Sequence, residues 1–305
     1  MSEDSPPEDS PHEDSPPEDQ SIKQISPEKA LGGCALGGCL VLLGGYLVLL
    51  VVYGMLTDSG KDTVQVESPE ATGEKMKSTG SPVGKGFLPE TFAKTFEIPA
   101  GDKDVYGNLI HKGTDEKTGM PKEIRHKTTG IHLVLIASGS FQMGSNNGHN
   151  DEKPAHKVTI TKPFYLGKYE VTQAEWLKAM NSKPWENKKY AGRVTTASVN
   201  SVSWIWCQSF LDKLNQSSGL KSGMRFALPT EAQWEYACRA EAETSRYYGQ
   251  SESLLEHYAW YQSNSKDRSW PVARLKPNDF GLFDMQGNVW EWCADWYQAD
   301  AIGHH

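Results

Sequence analysis

Residues 277–297, from Pro277 to Tyr297, read PNDFGLFDMQGNVWEWCADWY. Two carboxylates, Asp284 and Glu291, flank the turn pair Gly287-Asn288, and Trp290, Trp292 and Trp296 follow. A glycine turn that offers two carboxylates and backbone carbonyls can enclose Ca²⁺, a hard cation taking about six to eight oxygens. A plainer account of the spacing has Asp284 closing a turn and Glu291 in an ordinary ion pair. Spacing alone favours the plainer account. The alternation of Trp290 and Trp292 suggests strand-like packing on a core rather than a ligand cage.

Working outward, all ten tryptophans fall between Trp176 and Trp296. Aromatic burial should therefore dominate a globular domain expected over residues 128–305. Residues 131–136, Ile-His-Leu-Val-Leu-Ile, form a β-rich run ending at the turn signal Ser138-Gly139. Thr172-Gln173-Ala174-Glu175 and Thr230-Glu231-Ala232-Gln233 each fit a capping box, in which Thr bonds the N3 amide and Glu or Gln reaches back. The first leads into Trp176, Leu177 and Met180, the second into Trp234, Ala237 and Cys238. Cys207, Phe210, Leu211 and Leu214 recur at helical spacing on a third helix. Frequent Gly, Asn, Ser and Pro break up the rest. The expected class is α+β with much irregular structure.

The chain before this domain has a different character. Residues 1–30 open with an E-D-S-P-x repeat, and the first twenty residues carry eight acids and no Lys or Arg. Those acids equal the whole formal charge of −8. Such a tract buries too little apolar surface to offset its chain entropy and reads as a disordered tail. With it set aside the remaining chain is close to neutral, with no basic stripe of the kind nucleic acid requires. Residues 31–56 contain no charge. As a helix they would reach about 39 Å, enough to cross a bilayer with some tilt, so a single transmembrane helix is expected there. Lys23 and Lys29 before it favour an inside N-terminus and an extracytoplasmic C-terminal domain. Residues 57–104 read as a polar linker and 105–127 as a lead-in segment, with turns at Tyr106-Gly107-Asn108 and Lys117-Thr118-Gly119 between short extended pieces.

Other candidate chemistry is sparse. Cys34 and Cys39 lie in the apolar run, Cys207 and Cys238 on apolar helix faces, and Cys293 beside Trp292. None of the last three has metal-ligand spacing, and their disulfide pairing is open. His149 and His156 sit near Asp151 and Glu152 in what reads as a polar surface loop. No Ser-His-Asp arrangement, phosphate loop or H-E-x-x-H motif is present.

Five further runs carry a resemblance together with the opening one. They are IASGSFQMGS at 136–145, EKPAHKV at 152–158, FYLGKYEVTQ at 164–173, VSW at 202–204 and LPTEAQWEYA at 228–237. In this order, across about residues 128–297, they resemble the formylglycine-generating enzyme, or sulfatase-modifying factor, family. The resemblance implies a loop-rich fold like that of C-type lectins. It also implies Ca²⁺ bound by the side chains of Asp284 and Glu291 and the carbonyls of Gly287 and Val289. A second family calcium site near Tyr258-Ala259 is not carried over, because Trp260 stands where Asn is expected and the following loop is shorter.

Family oxidases convert a cysteine in a sulfatase C-x-P-x-R motif to formylglycine, using O₂ and a copper ion held by two thiolates, ligands that suit Cu(I). The family places that pair downstream of the G-N-V-W-E-W run, past His305. Cys238 matches a position whose disulfide partner lies in the same downstream region. The resemblance therefore implies a domain incomplete at its C-terminus, behind one transmembrane helix, with no copper site and no catalytic residue in this form. Two alternatives stay open: an extracytoplasmic lectin-like module binding peptide or glycan, and a fragment of an intact family oxidase acting on a sulfatase-like substrate.

Overall fold

The computed structural model describes residues 53–56, 64–66, 108–220 and 224–295. The strands in chain order are β1 (Tyr53–Leu56), β2 (Val64–Val66), β3 (Leu109–Lys112), β4 (Glu123–His126) and β5 (His132–Ile136). They continue with β6 (Gly139–Met143), β7 (His156–Ile160), β8 (Phe164–Gly167) and β9 (Met224–Ala227). The helices are α1 (Gln173–Met180), α2 (Trp204–Ser218), α3 (Glu231–Arg239) and the single turn α4 (Gln262–Ser265). One antiparallel sheet has the order β3-β4-β5-β8-β1-β9, and a smaller one the order β2-β7-β6. The expected α+β class with long loops is what the structure shows.

β8 explains how two cores arise from one sheet. All four of its residues are buried, as expected of a central strand covered on both faces. Side chains alternate across a strand, so Phe164 and Leu166 enter one cluster and Tyr165 the other. The larger cluster gathers Leu133, Trp176, Phe210, Leu211, Leu214 and Phe226 beneath α1 and α2. There the Trp176 and Phe210 rings stack at 4.9 Å with 4° between planes. The smaller cluster joins Ile136, Val158 and Phe164 to Tyr236, Ala237 and Cys238 of α3 and to Leu282, Met285 and Val289. The decisive segment is thus anchored by its apolar residues in the second core.

Both capping boxes form. Thr172 accepts from the Glu175 amide while Glu175 accepts from the Thr172 amide, and Thr230 and Gln233 repeat the pattern. α2 is capped by Ser203 and stops at Gly219, whose φ of 61° suits the absence of a side chain.

Several expectations are corrected. Tyr53–Leu56, the last residues of the expected transmembrane helix, form β1 between β8 and β9. A short apolar run serves a buried strand as well as a helix, and here both of its backbone edges are paired. The rest of that expected span, residues 31–52, lies outside the described residues, as does the tail 1–30. Among the described residues no helix is long and apolar enough to cross a membrane. Val64–Val66, in the expected linker, pairs with β7. The short extended pieces expected within the lead-in 105–127 are present as β3 and β4, which belong to the larger sheet as an edge strand and its neighbour. No strand forms at Trp290 and Trp292. The Trp292 indole N–H instead donates to the Val202 carbonyl at 3.2 Å, and its ring packs on the larger core.

Candidate metal centre

The segment 278–291 is fixed before any cation is considered. The Asn278 side-chain amide donates to the Ala237 carbonyl at 2.7 Å, and its side-chain oxygen accepts from the Phe280 and Leu282 backbone amides, both at 3.1 Å. Leu282 then enters the core and turns the chain towards Asp284, which sits at φ 62°. Asp and Asn tolerate this left-handed region better than most residues, and Asn288 follows at φ 67°. At Gly287 the main chain passes so close to Trp260 that a Cβ would come within 2.3 Å of its carbonyl oxygen. The next amide, Asn288, donates to that same carbonyl at 2.8 Å. Only glycine permits this approach.

The four residues expected as calcium ligands fall on this one turn. Asp284 is 2% exposed; its Oδ2 accepts from the Ala273 amide at 2.7 Å, and its Oδ1 is buried without a hydrogen-bond partner. Glu291 accepts through Oε2 from the Trp234 indole. The Gly287 carbonyl accepts from the Val289 amide at 2.9 Å, and Val289 packs in the smaller core. A third carboxylate, absent from the sequence-based set, belongs here. Glu170 follows β8 and is 2% exposed. Its Oε1 accepts from the Val289 amide at 3.2 Å, and its Oε2 accepts from the Ser198 hydroxyl and the Asn288 side-chain amide.

Electrostatics follow from this enclosure. Burial raises Asp284 to about 6, against the opposing Ala273 amide. Burial also raises Glu291 to about 8, with the Trp234 N–H opposing the shift and the Asp284 charge adding to it. Glu170 is pushed well above the carboxylate range by burial, then by the charges of Asp284 and Glu291. Among the described residues no Lys, Arg or His forms an ion pair with any of the three. Enclosed carboxylates without a counterion must either hold protons or meet a cation. The orphaned Oδ1 of Asp284 and this shortage of positive charge fit a divalent cation. No three His, Cys, Asp or Glu side chains among the described residues group as a metal cage, so coordination here would draw on the carbonyls of Gly287 and Val289.

The three described thiols are not set up as soft metal ligands. Cys207, Cys238 and Cys293 are unpaired, and burial raises each above the ordinary thiol value. The thiolate, not the thiol, is the soft ligand. His149 is exposed, in keeping with a polar surface loop, whereas His156 begins strand β7 and so lies outside that loop.

Comparison with known proteins agrees with this architecture. The chain is 29% identical over 189 residues to the serine/threonine-protein kinase pkn1 of Chlamydia pneumoniae, a match covering 55% of this chain and 28% of that protein. It is 29% identical over 228 residues to the mouse formylglycine-generating enzyme, covering 57% of this chain and 59% of the mouse protein. The chain thus spans less than two thirds of either relative. Among solved structures, Treponema denticola variable protein 1 superposes with a TM-score of 0.50 at 25% identity, covering 59% of this chain and 78% of that one. Residues 119–303 match the sulfatase-modifying factor enzyme 1-like domain, and the chain belongs to that family.

Proposed function

We propose that this chain is a sulfatase-modifying-factor-type domain that binds Ca²⁺ through Asp284, Gly287, Val289 and Glu291 and does not itself oxidise cysteine in this form. The observation that carries the reading is the state of the three described thiols: Cys207 and Cys238 are buried, Cys293 is half-buried, and enclosure raises all three above the ordinary thiol value. A copper-dependent oxidation of a sulfatase cysteine needs thiolates at the metal, and none of these is poised to supply one. Family membership supports a peptide bearing a C-x-P-x-R motif as the substrate class of a competent relative. The uncharged residues 31–52 would still reach about 33 Å as a helix, which supports attachment to a membrane, and Lys23 and Lys29 before them support a domain outside the cytoplasm.

The test is direct. The full chain is incubated with a C-x-P-x-R peptide, Cu(I) and O₂, and the peptide is read by mass spectrometry. Retention of the thiol is expected; formylglycine would overturn the proposal.

A further inference from the structure

Asn288 sits at the middle of the candidate calcium loop, yet all of its side-chain hydrogen bonds lead away from it. Its amide nitrogen donates to Glu170 Oε2, to the Ser198 hydroxyl at 2.7 Å and to the Trp270 carbonyl at 3.3 Å. Its side-chain oxygen accepts from the Trp270 amide at 2.8 Å. Ser198 donates in turn to Glu170 Oε2. The other oxygen of Glu170 accepts from the Val289 amide, the peptide unit just past Asn288. One carboxylate therefore grips two successive residues of the loop, one by its side chain and one by its main chain.

This grip bears on the carbonyls rather than on the carboxylates. The peptide unit joining Asn288 to Val289 lies between the Gly287 and Val289 carbonyls, the two backbone oxygens available to a cation. Its N–H is shared between Glu170 and the Gly287 carbonyl, so holding it restrains the peptide plane from which the two carbonyl-bearing units branch. Asn288 is already in the left-handed region, so without the grip the turn has cheaper conformations open to it. Glu170 lies three residues past β8, a fully buried strand, and is itself 2% exposed, so its side chain is held in packed surroundings.

We propose that Glu170 is the positioning residue of the calcium loop, holding the Gly287 and Val289 carbonyls in the arrangement that receives the cation. The proposal rests on the calcium reading of this loop, but the role of Glu170 in fixing the turn can be measured without calcium. Partners that orient metal ligands from behind typically account for about ten- to a hundred-fold in metal affinity.

Full-length wild type and Glu170→Gln are compared by calorimetric Ca²⁺ titration, and by hydrogen exchange of peptides covering 286–292 in chelator. Glu170→Gln keeps the side-chain shape but sets an N–H₂ among donors. The expected result is calcium affinity weakened at least about ten-fold and loop exchange accelerated by a similar factor, with exchange in α2 unchanged. Unchanged loop exchange in Glu170→Gln overturns the proposal, as does unchanged affinity where the wild type binds. A wild type that does not bind Ca²⁺ removes the calcium reading and with it the proposed role toward the cation. If Glu170→Gln does not fold, Ser198→Ala replaces it, removing one donor to the carboxylate and leaving the Val289 bond. Affinity and loop exchange should then move about three-fold in the same directions, and wild-type values would overturn the proposal.

Discussion

The indole N–H of Trp234, on α3, donates to Oε2 of Glu291, 57 residues further along the chain. The bond joins a helix whose start is legible as a capping box to the carboxylate that ends the candidate calcium loop. Trp234→Phe keeps most of the ring and leaves a largely enclosed acceptor without its donor. Such a change costs about 1–3 kcal/mol, measurable by urea denaturation. Combined with Glu291→Leu, which leaves no acceptor for the indole, the two losses should fall clearly short of their sum, because each removes the same interaction. Additive losses would show that the bond is absent in solution.

Calcium should stabilise the protein by mass action. At about 100 times its Kd the cation adds about 2.7 kcal/mol, a rise of several degrees in Tm for a domain of this size. Asp284→Asn keeps the hydrogen bond from Ala273 and removes the negative charge beside the loop. Its Tm should be indifferent to both calcium and chelator. A response equal to wild type would exclude Asp284 as a ligand.

The sequence makes local features plain and hides those that depend on distant partners. Thr172 and Thr230 announce their helices because a capping box is complete within four residues. Asp284 and Glu291 are visible because one turn carries both. Glu170 is not, because its partners Ser198, Asn288 and Val289 lie 28, 118 and 119 residues away. Its one local signal is a carboxylate between Tyr169 and Val171, just before an N-cap. β1 was concealed for another reason: four apolar residues at the end of a long uncharged run have no period that separates strand from helix.

Stability should depend on pH through Glu231. Burial raises this carboxyl from its ordinary range to about 7, helped by the charges of Glu235, Asp295 and Asp151. The folded state therefore holds a proton that the unfolded state releases near pH 4.5. By linkage its contribution is full below about pH 4.5 and is lost as pH rises through about 7. Glu231→Gln cannot ionise, so between pH 5 and 8 its stability should fall less than that of wild type, by roughly 1 kcal/mol after screening. Parallel curves for the two proteins would show that Glu231 titrates normally.

Trp176 and Phe210 bring α1 and α2 together face to face, each at 0% exposure. Phe210→Ala would open a cavity against a ring that has no room to collapse, at a cost of about 3–5 kcal/mol. Thr172→Ala, by contrast, removes a cap at the start of the same helix α1 and should cost about 1 kcal/mol. Denaturant midpoints for the pair should keep that order.

The thiols offer the sharpest check on catalytic competence. Burial raises Cys207, Cys238 and Cys293 alike, and for Cys293 the nearby charges of Glu231, Glu291 and Asp295 act in the same direction. Cys293 is the informative one, because its surface is partly exposed and a reagent can reach it. Burial and the three nearby acids make its thiolate scarcer than that of an ordinary cysteine. Iodoacetamide should therefore modify all three in the native protein more than about ten-fold slower than in urea, as mapped by peptide mass spectrometry. Rapid native modification of Cys293 would reveal a thiolate where burial and three acids disfavour one. That result would reopen the question of a metal-binding sulfur beside the loop.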